Sequence, residues 1–287
     1  VECGLNTSLS DIAENYAGDC FARTLFCPIC GGRSKIAHPA YNSDPHKPYK
    51  FDLRVCIECG HGWIDPMPSQ GLLNYLYGRA AHSVIGVGWS VQAHAGLSVP
   101  ERFVRARELS DGVTPRRYFE LGVGKGALYS EFLKAGWECH GVEPGVWGHG
   151  FPGVVSDIDV VPRSFLADRI VALDVLEHIA DPKAMIRTLR QLSASDATLY
   201  CAMPNRQSFR ARVGRDRWRM LRPLGHVNYW SRKSVLSAFS QSGFRVEELF
   251  KTDLWDAGPI RTLKSLAAAA IERFGAGDQW IVIARAN

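Results

Sequence analysis

The stretch Tyr118-Phe119-Glu120-Leu121-Gly122-Val123-Gly124-Lys125-Gly126 most restricts what this chain can become. Apolar residues run directly into glycines at alternate positions, and a helical pattern follows from about Lys125. Glycine there accepts positive φ and leaves no Cβ between backbone and ligand, while a helix start offers unpaired N–H groups. Strand, tight turn and helix together make a seat for a nucleotide. The spacing is not the dinucleotide fingerprint, in which the third glycine falls three residues after the second and not two, and it lacks the Gly-Lys-Ser/Thr ending of a phosphate-cradling loop.

Strand and helix patterns alternate downstream. Strands are expected near 117–121, 137–142, 153–156 and 169–174, and helices near 125–135 and from Pro182 to Leu192. Further strands follow at Thr198 to Met203, 244–250 and 279–285, with a helix from Lys233 to Gln241 capped by Ser231 and stopped at Gly243, and an Ala-rich one from Leu263 to Phe274. A continuous apolar run such as Ile170-Val171-Ala172-Leu173 suits a parallel strand covered on both faces, so the expected class is α/β with a doubly wound, Rossmann-like sheet of seven strands. Ligands of such sheets sit at the strands' carboxyl ends, which aligns Gly122, Gly124, Glu143, Asp157 and Asp174 along one rim.

The residues Glu120 to Gly126, Glu143 after the second strand, and Asp174-Val175-Leu176-Glu177-His178 after the fourth resemble the class I S-adenosylmethionine-dependent methyltransferases. The resemblance implies that the last strand runs antiparallel between the fifth and sixth, and that the cofactor is S-adenosyl-L-methionine. It places the amino-acid end of that cofactor on Glu120, Gly122, Gly124 and Gly126, the ribose hydroxyls on Glu143, and the adenine on Asp157 and Ile158, with Asp159 as the alternative if the short strand is shifted. Asp174 completes the cofactor set. An acidic rim suits a sulfonium cation better than a pyrophosphate. The rival reading is an ordinary Rossmann-like domain that binds another nucleotide, or none.

Methyl transfer needs an aligned acceptor and, where the acceptor is protonated, a base. Histidine has the suitable neutral-pH chemistry, and the rim offers His226, the preferred base, and His178, which either shares that role or orders its loop. Tyr229 is a hydrogen-bonding alternative, and Trp218 and Trp230 are candidate pocket walls. Because the cofactor accounts for the acids on this rim, no catalytic divalent metal is expected.

Cys27-Pro28-Ile29-Cys30 and Cys56-Ile57-Glu58-Cys59 have the spacing of two metal knuckles, with Gly31-Gly32 and Gly60 where the backbone must turn. Together they form a closed Cys₄ shell for structural Zn²⁺, with His38, His46 and His61 as possible substitutes in the set and redox chemistry as the rival reading. Cys139 and Cys201 lie in apolar strands and read as small core residues.

The expected organisation is a zinc module over residues 1–68, a helical linker or cap over 69–112, and a cofactor-binding domain over 113–287. A glycine-flanked loop at Gly86 to Ser90 is a candidate lid, and a surface helix is expected from Pro100 to Leu109. The charge of +5 permits an acidic or phosphate-bearing small-molecule acceptor. The run from Arg206 to Arg222, opposed locally only by Asp216, reads as a solvated face or as a contact for such an acceptor. Nucleic acid is not expected as a partner, because no separate binding module or sustained aromatic-basic alternation is present. No apolar run reaches the length of a bilayer span, and a cytoplasmic location is expected. The expected activity is methylation of a small molecule, most simply on an oxygen of a sugar, a nucleotide-linked sugar or a secondary metabolite. The alternatives are a recruitment protein whose cofactor fold is idle, and a nucleic-acid methyltransferase; oligomeric state is not specified.

Overall fold

The computed structural model describes residues 21–41, 51–80, 116–145, 148, 150–252 and 277–287. The expected lid at 86–90, the helix at 100–109 and the helix at 263–274 lie outside them, as does His46.

The N-terminal part contains β1 (Phe21–Ala22), β2 (Ser34–Tyr41), β3 (Phe51–Cys56), β4 (Gly62–Asp65), β5 (Met67–Pro68) and α1 (Gln70–Ala80). Strands β2, β3 and β4 form an antiparallel sheet, and β1 pairs with β5 beside it. Along β3, Phe51, Leu53 and Val55 are buried while Asp52 and Arg54 between them are partly exposed, the period of two that a half-buried strand requires. At the end of β4 the buried Asp65 accepts from Arg54 Nε at 2.7 Å and from the Thr24 amide at 3.0 Å, so its charge is matched where it lies.

The main part begins with β6 (Arg117–Leu121) and continues through α2 (Ala127–Lys134), β7 (Glu138–Val142), β8 (Val154–Val155), β9 (Ala167–Leu173), α3 (Pro182–Gln191) and β10 (Ser193–Pro204). A short helix α4 (Phe209–Gly214), the two-residue strand β11 (Asn228–Tyr229), α5 (Arg232–Gln241), β12 (Phe244–Thr252) and β13 (Gln279–Ala286) complete it. The sheet order is β12-β13-β10-β9-β6-β7-β8, parallel from β10 to β8, with β13 antiparallel to both β10 and β12. This is the seven-stranded Rossmann-like arrangement expected, including the antiparallel last strand. Helix α2 starts two residues later than expected, because Gly126 at φ 73° is its cap and Lys125 stays in the turn.

Alternation along the central strands fills two apolar layers. Tyr118, Val171, Tyr200 and Ile283 join Leu128, Tyr129 and Phe132 of α2, with the Tyr118 and Phe132 rings stacked at 3.8 Å. Their neighbours Phe119, Ile170, Ala172, Leu199 and Cys201 face the other way, into a core that also contains Trp63, Leu72, Leu73 and Trp230. The N-terminal sheet and the main sheet therefore share one apolar interior. They also share a strand: β11, from the main part, pairs antiparallel with β4, Asn228 opposite Trp63 and Tyr229 opposite Gly62.

The arginine run is not simply solvated. Asp278, fully buried just before β13, accepts from Ser208 Oγ at 2.7 Å, Trp218 Nε1 at 3.2 Å and Arg219 Nε at 3.2 Å, and Arg210 lies at 3.5 Å. The partner the local sequence lacked arrives from the far end of the chain. Removing one member of a buried pair strands the other, so Asp278→Ala should cost roughly 3–5 kcal/mol in urea denaturation; a loss below about 1 kcal/mol would mean that this acid does not hold the segment.

Candidate functional site

Strands β6 and β9 are adjacent, yet the chain leaves β6 toward β7 and β8 and comes back to β9 on β6's other side. A crevice opens at the carboxyl ends where the strand order reverses, and the glycine turn lies there. Gly122, Gly124 and Gly126 have φ of 80°, 55° and 73°. A Cβ on Gly122 would stand 2.5 Å from Val175 Cγ2, so the turn can pass beneath the loop after β9 only as glycine, whereas a Cβ on Gly124 would meet nothing within 4 Å.

Glu143 follows β7 and is buried at 8% exposure. Its Oε2 accepts from the Gly124 amide and its Oε1 from the Gly145 amide, both at 2.7 Å, which binds the turn after β6 to the turn after β7. A carboxylate offers about four acceptor positions, more than these two amides use. Glu120 is buried and accepts from Tyr118 Oη at 2.8 Å. Asp157 is exposed and caps a single 3₁₀ turn through the Asp159 amide, with Ile158 half-buried beside it. Asp174, at φ 53°, accepts from Gln279 Nε2 at 2.5 Å.

The loop after β9 is stitched to the segment before α5. The Val227 amide donates to Glu177 O at 2.7 Å, Asn228 Nδ2 to Ile179 O at 2.6 Å, and His178 Nδ1 meets Gly225 O. His226 Nδ1 lies 2.8 Å from Met220 O, and the two imidazole centroids are 5.0 Å apart. The two candidate histidines are thus brought together. Burial keeps both rings neutral, pulling His178 down to about 4 and His226 further. Burial, then the charge of Asp174, pushes the Glu177 carboxyl well above its usual range. Tyr229 is buried, donates to His226 O at 2.7 Å and accepts from the Arg222 amide, which shapes the loop carrying His226. Trp218 is tied to Asp278, and Trp230 is wholly buried against His61 at 4.9 Å, in the shared core and not on a pocket wall.

The four cysteines of the two knuckles converge, with Cys27 and Cys59 sulfurs 3.5 Å apart and Cys30 and Cys56 likewise. Four sulfurs about 2.3 Å from one ion stand about 3.8 Å from each other, so the set fits a tetrahedral metal. The Ile29 amide points at Cys27 Sγ and the Glu58 and Cys59 amides at Cys56 Sγ, each at 3.4 Å, which favours thiolates. Gly31 and Gly60, at φ 72° and 73°, supply the turns. The hydrogen bond from Cys27 brings Cys59 down to about 5, while the same pairing and burial raise Cys27. His61 is no substitute ligand: its Nε2 meets Asn228 Oδ1 at 2.9 Å in the core. His38 lies in β2.

Both knuckles rest on the main part. Lys183 Nζ donates to Ile29 O, Lys233 Nζ to Glu58 O, Ser231 Oγ to Cys59 O and Arg206 Nη1 to Gly60 O, at 3.0, 2.7, 2.5 and 2.8 Å. Two residues went without a role in the sequence reading. Glu177 was visible as an acid inside the motif after β9, and Asn228 carried no signal, since its function depends on groups at positions 61 and 179.

Residues 94–249 match the model of a family described as a methyltransferase domain. A search of curated proteins finds no match to the chain. Among solved structures it is similar to an S-adenosylmethionine-dependent methyltransferase from Mesorhizobium loti, at 17% identity over 66% of this chain and 100% of that one, TM-score 0.48. One from Archaeoglobus fulgidus is 19% identical over 64% and 94%, TM-score 0.46. Magnesium protoporphyrin IX methyltransferase from Synechocystis, with bound S-adenosylhomocysteine, is 17% identical over 65% and 82%, TM-score 0.46.

Elemental analysis of the purified chain should find one thiolate-bound metal ion. Cys56→Ser should lose it and lower the melting temperature. A metal-free preparation that melts normally would exclude the site.

Proposed function

Because the chain belongs to the methyltransferase-domain family, we propose that it methylates a small hydroxylated molecule at the carboxyl rim of the main sheet, using S-adenosyl-L-methionine. The observation that supports this is Glu143, whose carboxylate holds the Gly124 and Gly145 amides at the carboxyl ends of β6 and β7, where the ligand of such a sheet sits. Bound there, the cofactor supplies an electrophilic methyl group on a sulfonium. The backbone of 122–126 would receive its amino-acid end beside Glu120, Glu143 its ribose, Asp157 and Ile158 its adenine, and Asp174 would complete the acidic rim.

The chain's own burden is then to orient the acceptor and manage its proton. His226 and His178 serve that purpose, because burial keeps them neutral at physiological pH and a neutral ring has a lone pair for a hydroxyl proton. Tyr229 supports the reading as the bond that holds the His226 loop. Arg212, Arg215 and Arg217 remain exposed on the segment that follows β10 at the same rim, which favours an acidic acceptor such as a nucleotide-linked sugar. Zinc in the four-cysteine site would act as a brace, since four thiolates leave no coordination position for a reacting group.

Calorimetry should show S-adenosylhomocysteine binding, weakened by about 1.5–3 kcal/mol in Glu143→Ala; equal affinity would remove Glu143 from the site. With nucleotide sugars and polyhydroxylated aromatics offered as acceptors, His226→Ala should slow methyl transfer by about 10²–10⁴-fold while keeping cofactor affinity. Full turnover in that variant would end the role given to His226.

A further inference from the structure

Glu177, His178 and His226 bring a carboxylate oxygen and two imidazole nitrogens within 4.8 Å of one another. Glu177 is 1% exposed, and its Oε2 has no hydrogen-bond partner among the described residues. A buried carboxylate in that condition is costly unless a cation or a proton donor meets it. The histidines do not supply the donor. Each points Nδ1 at a backbone carbonyl, Gly225 O or Met220 O, and a carbonyl can only accept. In neutral His226 the hydrogen therefore sits on Nδ1 and the lone pair on Nε2, while the His178 ring also meets the Asp174 main chain.

One possible ligand atom from each of the three side chains thus lies close to the other two, and the His226 N–H is anchored on a main-chain oxygen, as is usual for histidines that bind metals. Bonds of about 2.0–2.2 Å to one ion allow ligand atoms up to about 4.4 Å apart, and these three lie within 4.8 Å of one another. Asp174 adds negative charge nearby. The sequence reading assigned the rim acids to the cofactor; Glu177 is the acid it left over.

We propose that Glu177, His178 and His226 form a second metal site that takes a borderline divalent cation of the Mn²⁺, Fe²⁺, Co²⁺ or Zn²⁺ class. Two imidazoles with one carboxylate suit these ions better than Ca²⁺ or Mg²⁺, which prefer all-oxygen sets. Three protein ligands leave coordination positions open. If the methyl-transfer reading holds, the acceptor's oxygen binds there, and the ion weakens that oxygen's hold on its proton, so His226 serves as a ligand and not as a bare base. That role rests on the reading above, whereas the site itself does not.

The test titrates Mn²⁺ alone into the full chain with its four-cysteine site filled, following free Mn²⁺ by electron paramagnetic resonance. Calorimetry with S-adenosylhomocysteine runs alongside. One Mn²⁺ per chain is expected, bound at least about tenfold more weakly by Glu177→Gln and by His226→Gln. Should His226→Gln fail to fold, Glu177→Gln keeps the side-chain volume and decides alone. No uptake by the parent at millimolar Mn²⁺, or undiminished uptake by Glu177→Gln, overturns the site. Uptake without S-adenosylhomocysteine binding supports the site and overturns the methyl-transfer reading; the reverse overturns the site only.

Discussion

Asn228 holds the arrangement together. Its Nδ2 donates to Ile179 O in the loop after β9, which leaves Oδ1 to accept, and the group it accepts from is His61 of the N-terminal part. The bond to His61 is buried and the bond to Ile179 partly so, which limits competition from water. One amide thereby sets the distance between the rim loop and the metal-knuckle sheet, and β11, on which it sits, completes that sheet beside β4. Glu177, His178 and His226 are placed by the same stitching, through Val227 and Gly225. Without it the rim would be a loop on an otherwise ordinary sheet.

The main sheet was legible because its signals are local. Ile170 to Leu173 is apolar throughout because both faces of β9 are covered, and the residues from Glu120 to Gly126 carry their turn within a few positions. The knuckles were legible for the same reason, as each pair and its glycine lie within five residues. What was not legible depends on long separations. A two-residue strand such as β11 has no periodicity to read, and its pairing with β4 follows from the docking of the two parts. His226 and Trp230 both read as pocket residues, and the structure divides them: His226 lies beside Glu177 and His178 while Trp230 fills the shared core. The arginine run looked unopposed because Asp278, its partner, is about sixty residues away, near the other end of the sheet's hairpin.

Helix α5 shows how one side chain can serve both parts. Ser231 Oγ accepts from the Ser234 amide, Ser234 Oγ accepts from the Ser231 amide, and Ser231 Oγ also donates to Cys59 O. The cap that starts a helix of the main part is also a contact with the second knuckle. Order at the metal and order at the helix start are therefore coupled, since loss of either frees a group the other was using.

All four groups that the main part grips on the knuckles are main-chain oxygens, those of Ile29, Glu58, Cys59 and Gly60. What is recognised is the path of a backbone bent around an ion, and the side chains along it are mostly bystanders. Such an interface tolerates evolutionary drift at Pro28, Ile57 or Glu58 as long as the thiols and turns persist, so relatives of this chain can look dissimilar across the knuckles and still dock them identically.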